Sequence, residues 1–473
     1  MLIRNSALYV AAKLLPGGLG MLTTAVLTRL LPPDSYGRYG VALVIMSFGA
    51  SLGFEWLGLA YLRLAPAAGP GATGTFDRLF LMLLAVAAVI GGAMLATVPP
   101  ADRVIVAAGL LLMASYAWFE FRTRFHVAGI APGAYFRMNL ARAVLVMLSA
   151  IVTAWSTHDP ACTALATAAA TLLAASRSRG GEAQGGGFDR ALAVAAIRFG
   201  LPLAASLMLN SAMGSLTRGL VGAFGGVEAL GLFTAAFVLV QNTLVVLSSG
   251  LSSAGFSLTV NALEAGRVEA ARRQLAANFT LLLALLAPAA LGMALTADDL
   301  AAVLVGPGFR ATVAQLTPWL AAAALLTGLR SHYLDHAFHL GRRMRGQVGV
   351  TAVAAIVTLG LDALLIPLVG PVGAAIALTV GAAVAAIHAA IAGRAAFVIP
   401  LPAGPVIRTA VGCAVLAACV LSVPGSGAAA LAGKIAGGVV GYGAAALALD
   451  IAGLRRAVAG RLQRAGIVAG GIT

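Results

Sequence analysis

Long apolar segments recur along almost the whole chain and constrain its fold more than any other feature. A helix needs about 20 residues to cross a bilayer core of about 30 Å. About fourteen stretches approach or exceed that length, with approximate limits 8–30, 39–61, 79–98, 103–121, 138–156, 160–176, 200–222, 230–258, 276–297, 314–336, 347–367, 371–393, 406–423 and 430–450. Because lipid offers the backbone no hydrogen-bond partners, these stretches are expected to be α-helices. We therefore predict an all-α polytopic membrane protein.

Composition supports the same class of protein. The chain is 60% hydrophobic and 10% charged, whereas soluble domains carry about 25% charged residues. A net charge of +15 would suggest nucleic-acid binding in a soluble protein. Here the basic residues lie between apolar segments, without an aromatic-interleaved basic patch, so we expect no nucleic-acid partner and attribute the charge to membrane topology.

The basic residues also predict the orientation. With the N-terminus inside, the inner connections and tail hold about 22 of the 31 basic residues, and the outer connections hold Arg38, Arg103 and Arg310. Such an asymmetry indicates cytoplasmic N- and C-termini in a cytoplasmic (inner) membrane. MLIRN leads into the first apolar run without a cleavage site, so we expect that helix to stay in the mature protein.

A Gly-rich polar segment, 177–190, divides the first twelve stretches into six and six. We predict an N-terminal six-helix lobe over 1–176, a cytoplasmic linker over 177–190 and a C-terminal six-helix lobe over 191–398. Two accessory helices and a basic cytoplasmic tail fill 399–473. The lobes share a layout: a first helix ends near an Arg and continues through a Gly-containing segment, YGRYG or ALGLF. Repeated halves around a central cavity are typical of transporters.

Three motifs carry a resemblance to a known family. RLLPPDSYGRYG at 29–40, GLPL at 200–203 and DALLIPLVGPVGAAIA at 362–377 occur in an order and spacing that resemble the polysaccharide-biosynthesis, or lipid-linked oligosaccharide, flippase family. That family belongs to the multidrug/oligosaccharidyl-lipid/polysaccharide exporter superfamily. The resemblance covers roughly residues 1–400, and the two extra helices are also usual in the family.

The resemblance implies a fold and a function. It implies two six-helix bundles forming a V around a central cavity, and movement of a polyprenyl-pyrophosphate-linked glycan from the inner to the outer leaflet by alternating access. The glycan would serve a cell-surface polysaccharide such as O-antigen, lipopolysaccharide or exopolysaccharide. Membrane lipids, a polysaccharide polymerase and glycosyltransferases are the partners expected beside the lipid-linked oligosaccharide. The chain departs from the family at Thr217, where many relatives have an acidic residue, and at Asp362, where they often have Asn.

The segment 29–40 has a structural interpretation for most of its residues. Pro32 and Pro33 should end the first helix, and Asp34 and Ser35 can cap the next one. Tyr36 and Tyr39 suit the headgroup zone of the bilayer.

Ionisable groups inside a membrane span need a partner or water. Measured from the midpoint of each helical hairpin, Lys13 lies at the depth of Glu55, and Glu120 lies near the depth of Arg142. We predict that Lys13 and Glu55 pair or face one cavity. For Glu120 and Arg142 we favour a structural contact between helices over a role in ion coupling.

Arg29 and Arg218 lie near the outer ends of the first and seventh helices. Together with Lys13 they are our candidates for binding the pyrophosphate, because a guanidinium matches phosphate oxygens bidentately. The alternative is that they extend to the outer headgroups.

A polar cluster, RSHYLDHAFHLGRRMR, begins at Arg330. His332, Asp335, His336 and His339 follow i, i+3, i+4, i+7 spacing and would share one helix face. A solvated face near the headgroups is the interpretation we favour; a proton relay through His332, Asp335 and His336 and a metal site are alternatives.

Enzyme signatures such as a P-loop or HExxH do not occur in the sequence. We therefore expect a transporter rather than an enzyme, with neither a cofactor nor a bound metal. An ion-coupled multidrug exporter of the same superfamily, a membrane glycan polymerase or glycosyltransferase, and a structural scaffold remain the alternatives.

Overall fold

A computed structural model describes residues 2–69, 71–176 and 187–456. All regular elements in these residues are helical. The α-helices are α1 Leu2–Leu30, α2 Pro33–Gly53, α3 Glu55–Ala68, α4 Ala72–Thr97, α5 Arg103–Ala128, α6 Pro132–Thr157, α7 Pro160–Ser176, α8 Arg190–Val240, α9 Val246–Glu264, α10 Val268–Leu295, α11 Ala297–Leu304, α12 Arg310–Leu329, α13 His336–Leu340, α14 Met344–Val369, α15 Pro371–Gly393, α16 Ala403–Leu421 and α17 Ala428–Ala448. Two π-helical turns, Gln241–Val245 and Arg330–Leu334, and three short 3-10 turns join some of them.

The helices confirm the predicted all-α membrane fold. Each apolar stretch predicted from the sequence is largely helical, although 39–61 is divided at Phe54 between α2 and α3 and some stretches extend one or two residues past a helix end. In the described residues, eleven helices are long and apolar enough to cross a membrane, and Leu14–Leu30 and Pro160–Ser176 are shorter apolar helices. Many exposed side chains of these helices are apolar, as at Val89 in α4, which is 74% exposed. Such exposure is expected where the solvent is hydrocarbon.

Helix α8 contains the seventh predicted span and the start of the eighth. It bends at Gly226, whose φ of 83° and ψ of 177° are not helical. A residue with a Cβ rarely adopts a positive φ of this size, so glycine is the residue that permits the bend.

The chain forms two compact units. Unit 1 comprises Met1–Asn242, Val305–Thr312 and Thr351–Leu378, and unit 2 comprises Thr243–Leu304, Val313–Val350 and Thr379–Thr473. The predicted lobe boundaries stay a prediction, and residues 177–186 of the predicted linker lie outside the described residues.

An aromatic cluster forms part of the core of unit 1 where α3, α4 and α5 meet. Tyr61 of α3 stacks on Phe125 of α5, with ring centroids 4.3 Å apart, and meets Phe76 of α4 edge-on at 5.3 Å. Phe80 and Phe121 stack beside them at 5.1 Å. Aromatic pairs of these geometries add specific attraction to the burial of apolar area.

Polar contacts attach the last two helices to the rest of unit 2. The hydroxyl of Tyr442 in α17 donates to the carbonyl of Ala284 in α10 at 2.7 Å. Lys434, also in α17, forms an ion pair with Asp299 in α11, and Asp299 accepts a second bond from the amide of Gly427. The helices α16 and α17 are therefore an integral part of this unit.

Candidate functional site

Helix α1 ends shortly before the two prolines, as the sequence predicts. Pro33 is the first residue of α2, and Pro32 before it is extended. The predicted capping is wrong, because the residue at the cap position is Pro32 and it makes no side-chain cap. Asp34 already lies in the first turn of α2, where its charge suits the helix dipole and pairs with Arg38 at 3.4 Å.

The side chains of Tyr36 and Tyr39 do not face lipid headgroups, since both are buried. The ring of Tyr36 meets Phe309 edge-on at 5.6 Å. The hydroxyl of Tyr39 lies 3.5 Å from that of Thr167 in α7. The prediction failed because segments distant in the sequence cover this face of α2.

Three glycines, Gly37, Gly231 and Gly306, allow other parts of unit 1 to pack closely against the α1–α2 hairpin. We call these three residues the glycine junction. A Cβ on Gly37 would overlap the carbonyl of Val227, and a Cβ on Gly231 would overlap that of Pro33. These contacts bring together YGRYG and ALGLF, the two segments that the sequence paired only by layout.

Gly306 completes the glycine junction at the end of α1. A Cβ on this glycine would overlap the carbonyl of Thr28. Its amide donates to the hydroxyl of the same threonine at 3.2 Å. The junction therefore joins both helices of the hairpin to segments of unit 1 that are far away in the sequence.

Arg218 lies in α8 and is 7% exposed. Its Nη2 donates to the hydroxyls of Ser47 in α2 at 3.0 Å and of Ser215 at 3.2 Å. Its Nε donates to the carbonyl of Gly214 at 3.0 Å, and its guanidinium carbon lies 5.1 Å from the centre of the Phe237 ring. In this arrangement the side chain connects α8 to α2.

Arg29 lies in a different environment from Arg218. Its side chain is exposed, and one guanidinium nitrogen donates to the carbonyl of Ala25 one turn earlier in α1. The symmetry inferred from the layout of the two halves therefore does not extend to the burial of these two residues. Their assignment to the pyrophosphate stays a prediction.

Glu55, the first residue of α3, lines a cavity of about 270 Å³ in unit 1. Other residues on its wall include Tyr116, Glu120 and Arg124 of α5. The side chain of Lys13 lies outside the described part of the structure, so its pairing with Glu55 stays a prediction.

Glu120 forms its ion pair with a different partner from the predicted one. Its Oε2 lies 3.8 Å from Nη2 of Arg124, one turn further along α5. Arg142 of α6 instead lies over the rings of Tyr116 and Phe119, at 5.3 and 4.9 Å from their centres. The i, i+4 spacing brings Arg124 close within one helix, and aromatic faces attract the guanidinium of Arg142.

The two departures from the family pattern contact each other. The hydroxyl of Thr217 in α8 donates to Oδ2 of Asp362 in α14 at 2.7 Å, and both residues are fully buried. Oδ1 of Asp362 has no hydrogen-bond partner among the described residues. The sequence analysis noted each departure separately, and their joint occurrence was the signal that could have predicted this contact.

The polar cluster of α12 and α13 is not a solvated face. Asp335 is 2% and His336 7% exposed, whereas His339 is exposed. The π-helical turn Arg330–Leu334 changes the register on which the predicted shared face depended. The described residues contain no group of three or more His, Cys, Asp or Glu side chains that could hold a metal ion, so the metal alternative has no support there.

The fold is that of a known class of membrane transporters. No protein-family model matches the chain, and no curated protein sequence matches it. Among solved structures, a multidrug resistance MATE family transporter of the MOP superfamily, in an inward-facing conformation, is similar with a TM-score of 0.54 and 16% identity over 82% of this chain and 94% of the other. The structure of a MATE transporter of Vibrio cholerae, VcmN, is similar with a TM-score of 0.53 and 14% identity, over 84% of this chain and 96% of the other.

A higher similarity is found to the lipid II flippase MurJ, in a structure described as an inward closed conformation. The TM-score is 0.76 at 10% identity, covering 93% of this chain and 98% of the other. At these identities the comparisons establish the shared fold.

Proposed function

We propose that the protein is a flippase that moves a polyprenyl-pyrophosphate-linked oligosaccharide across the cytoplasmic membrane by alternating access, for cell-surface polysaccharide biosynthesis. The observation that carries the proposal is the similarity to a lipid II flippase over 93% of this chain. The order of the three sequence motifs supports the same class of cargo. A polymerase and glycosyltransferases are the partners this role requires, and we place both chain termini in the cytoplasm.

Arg29 and Lys13 are the proposed binders of the pyrophosphate. The guanidinium of Arg29 is exposed and donates to the carbonyl of Ala25 in its own helix, so it is accessible to phosphate oxygens. Arg218 would contribute only after its bonds to Ser47 and Ser215 are broken. We therefore propose that Arg218 holds α2 and α8 together in the present arrangement. It would bind substrate only after these two helices have moved apart.

A cavity favours the second candidate function, an ion-coupled multidrug exporter. Glu55 and Glu120 bring two carboxylates to its wall, and Arg124 brings one guanidinium. A cavity with more acidic than basic groups suits an organic cation. The lipid-linked anion remains our preferred cargo, because the similarity to a lipid II flippase extends over 93% of this chain.

A binding measurement on the purified full-length protein tests the proposal. The probes are a polyprenyl diphosphate disaccharide, the same lipid without its diphosphate, and ethidium as an organic cation. We expect the diphosphate lipid to bind most tightly, and Arg29→Gln to weaken it about tenfold through loss of a charge-assisted bidentate contact. Arg103→Gln, a matched exposed arginine, should leave affinity unchanged. Tighter binding of ethidium, or equal binding of the lipid without diphosphate, would contradict the proposal.

A further inference from the structure

A π-helical turn creates an ion pair inside unit 2. In the turn Arg330–Leu334, the amide of Asp335 donates to the carbonyl of Arg330 at 2.9 Å, an i→i−5 bond. In an α-helix, residues five apart point about 140° away from each other. Here the wider turn brings Nη1 of Arg330 to 3.4 Å from Oδ2 of Asp335. The ion pair and the π turn therefore depend on each other, and such turns are frequent at functional sites.

The carboxylate of Asp335 is buried and only partly satisfied. Gln347 of α14 donates to the same oxygen, Oδ2, at 3.4 Å. Among the described residues, Oδ1 is buried without a hydrogen-bond partner, and so is Nδ1 of the adjacent His336. A buried carboxylate oxygen without a donor favours protonation, since the neutral acid needs less solvation than the anion.

In the part of the chain that the structure describes, the charged and titratable groups around the pair lie mainly on its own helix. Arg330 is the charged neighbour of Asp335, and His332 and His339 are those of His336. The neighbouring helices present uncharged side chains: Phe256 of α9 lies 4.4 Å from the His336 ring, Phe279 of α10 packs on Tyr333, and α14 supplies Gln347. Tyr333 donates to the carbonyl of Pro400.

Unit 2 contains a second buried ion pair, between Lys434 and Asp299, with which the pair of Arg330 and Asp335 can be compared. Asp299 accepts from Lys434 through Oδ2 and from the amide of Gly427 through Oδ1. Both of its oxygens are satisfied, and it lies in the regular helix α11. Asp335 differs from Asp299 in both respects.

We propose that Asp335 is a proton-binding site that couples transport to a proton gradient. A proton enters at the exposed His339 and passes by way of His336 to the carboxylate of Asp335. Protonation neutralises Asp335, breaks its ion pair with Arg330 and lets the turn Arg330–Leu334 relax from π to α geometry. The driven cargo rests on the proposed function, whereas proton binding itself does not.

The test uses the full-length protein in liposomes without any substrate. Infrared spectra report the protonated carboxyl group, and hydrogen–deuterium exchange reports the backbone amides of 328–342. Between about pH 8 and about pH 5, a range that includes histidine titration, the wild type should gain a protonated-carboxyl band and change its amide exchange in this segment several-fold. Asp335→Asn should lack the band and show the low-pH exchange at both pH values.

Asp299→Asn is the matched control, because it also removes a buried, ion-paired carboxylate, and it should keep both responses. If Asp335→Asn does not accumulate in the membrane, Asp335→Glu should titrate with a shifted midpoint. A wild type without either response, a band that survives in Asp335→Asn, or an unshifted midpoint in Asp335→Glu would overturn the proposal. A normal titration in a protein that moves no glycolipid would overturn the proposed function alone.

Discussion

At the scale of single residues, Arg218 holds its charge in a buried position through three hydrogen bonds and an aromatic ring. Arg218→Gln should lower the free energy of unfolding by about 2 kcal/mol, because hydrogen bonds from a charged donor are lost in a buried site. Unfolding in mixed detergent micelles measures this change. The exposed Arg29 provides the control, and Arg29→Gln should change stability by less than about 0.5 kcal/mol. Equal effects of the two substitutions would contradict the described role of Arg218.

The bond between Thr217 and Asp362 makes a second prediction at this scale. Thr217→Val should destabilise the protein by about 2 kcal/mol, because it removes the donor to a buried carboxylate. In the background of Asp362→Leu, the same substitution should cost much less, since no buried acceptor is left without a donor. A double-mutant cycle on unfolding free energies measures the coupling. A coupling near zero would show that the hydroxyl and the carboxylate do not interact.

From the sequence, it was easier to predict which residues carry a buried charge than to predict which residues they contact. Matching residues by depth in a hairpin paired Glu120 with Arg142, but depth says nothing about the direction in which a side chain points around its helix. In the structure, Glu120 forms an ion pair with Arg124, and Arg142 lies over two aromatic rings. The prediction that Tyr36 suits the headgroup zone was wrong for a related reason. Its ring is covered by Phe309, which is far away in the sequence.

At the scale of helices, the glycine junction determines how closely the α1–α2 hairpin meets its neighbours. Gly37→Ala should destabilise unit 1 by about 2 kcal/mol, because the new methyl group would overlap a backbone carbonyl that cannot rotate away. Gly92 in α4 has open space around it, so Gly92→Ala should be neutral or slightly stabilising. Unfolding free energies of the two variants measure the difference. A Gly37→Ala variant as stable as Gly92→Ala would contradict the close packing.

The helices themselves were the most predictable elements, because their length and apolar character follow from the thickness of the bilayer. The irregular turns within them were not predictable in the same way. The bend at Gly226 and the π turn Arg330–Leu334 alter the backbone within continuous apolar runs, and they leave no trace in hydropathy.

At the scale of the whole molecule, the fold is that of the MOP transporters, and the chain matches the lipid II flippase MurJ over nearly its full length. The class of fold was predictable from apolar segments and motif order. The cargo was not, because the described basic residues are either exposed, as Arg29 is, or held by protein groups, as Arg218 is. Cargo specificity therefore has to be measured on the assembled protein.

Translocation of a lipid-linked glycan in liposomes is the most direct test of the proposed function. A polyprenyl diphosphate disaccharide with a fluorophore on its sugar is placed in both leaflets, and an impermeant reductant bleaches the outer leaflet. With the full-length protein, bleaching should proceed beyond the half of the signal that protein-free liposomes lose, because inner-leaflet lipid is carried outward. Bleaching that stops at one half in both preparations, with correctly inserted protein, would contradict a flippase of this class.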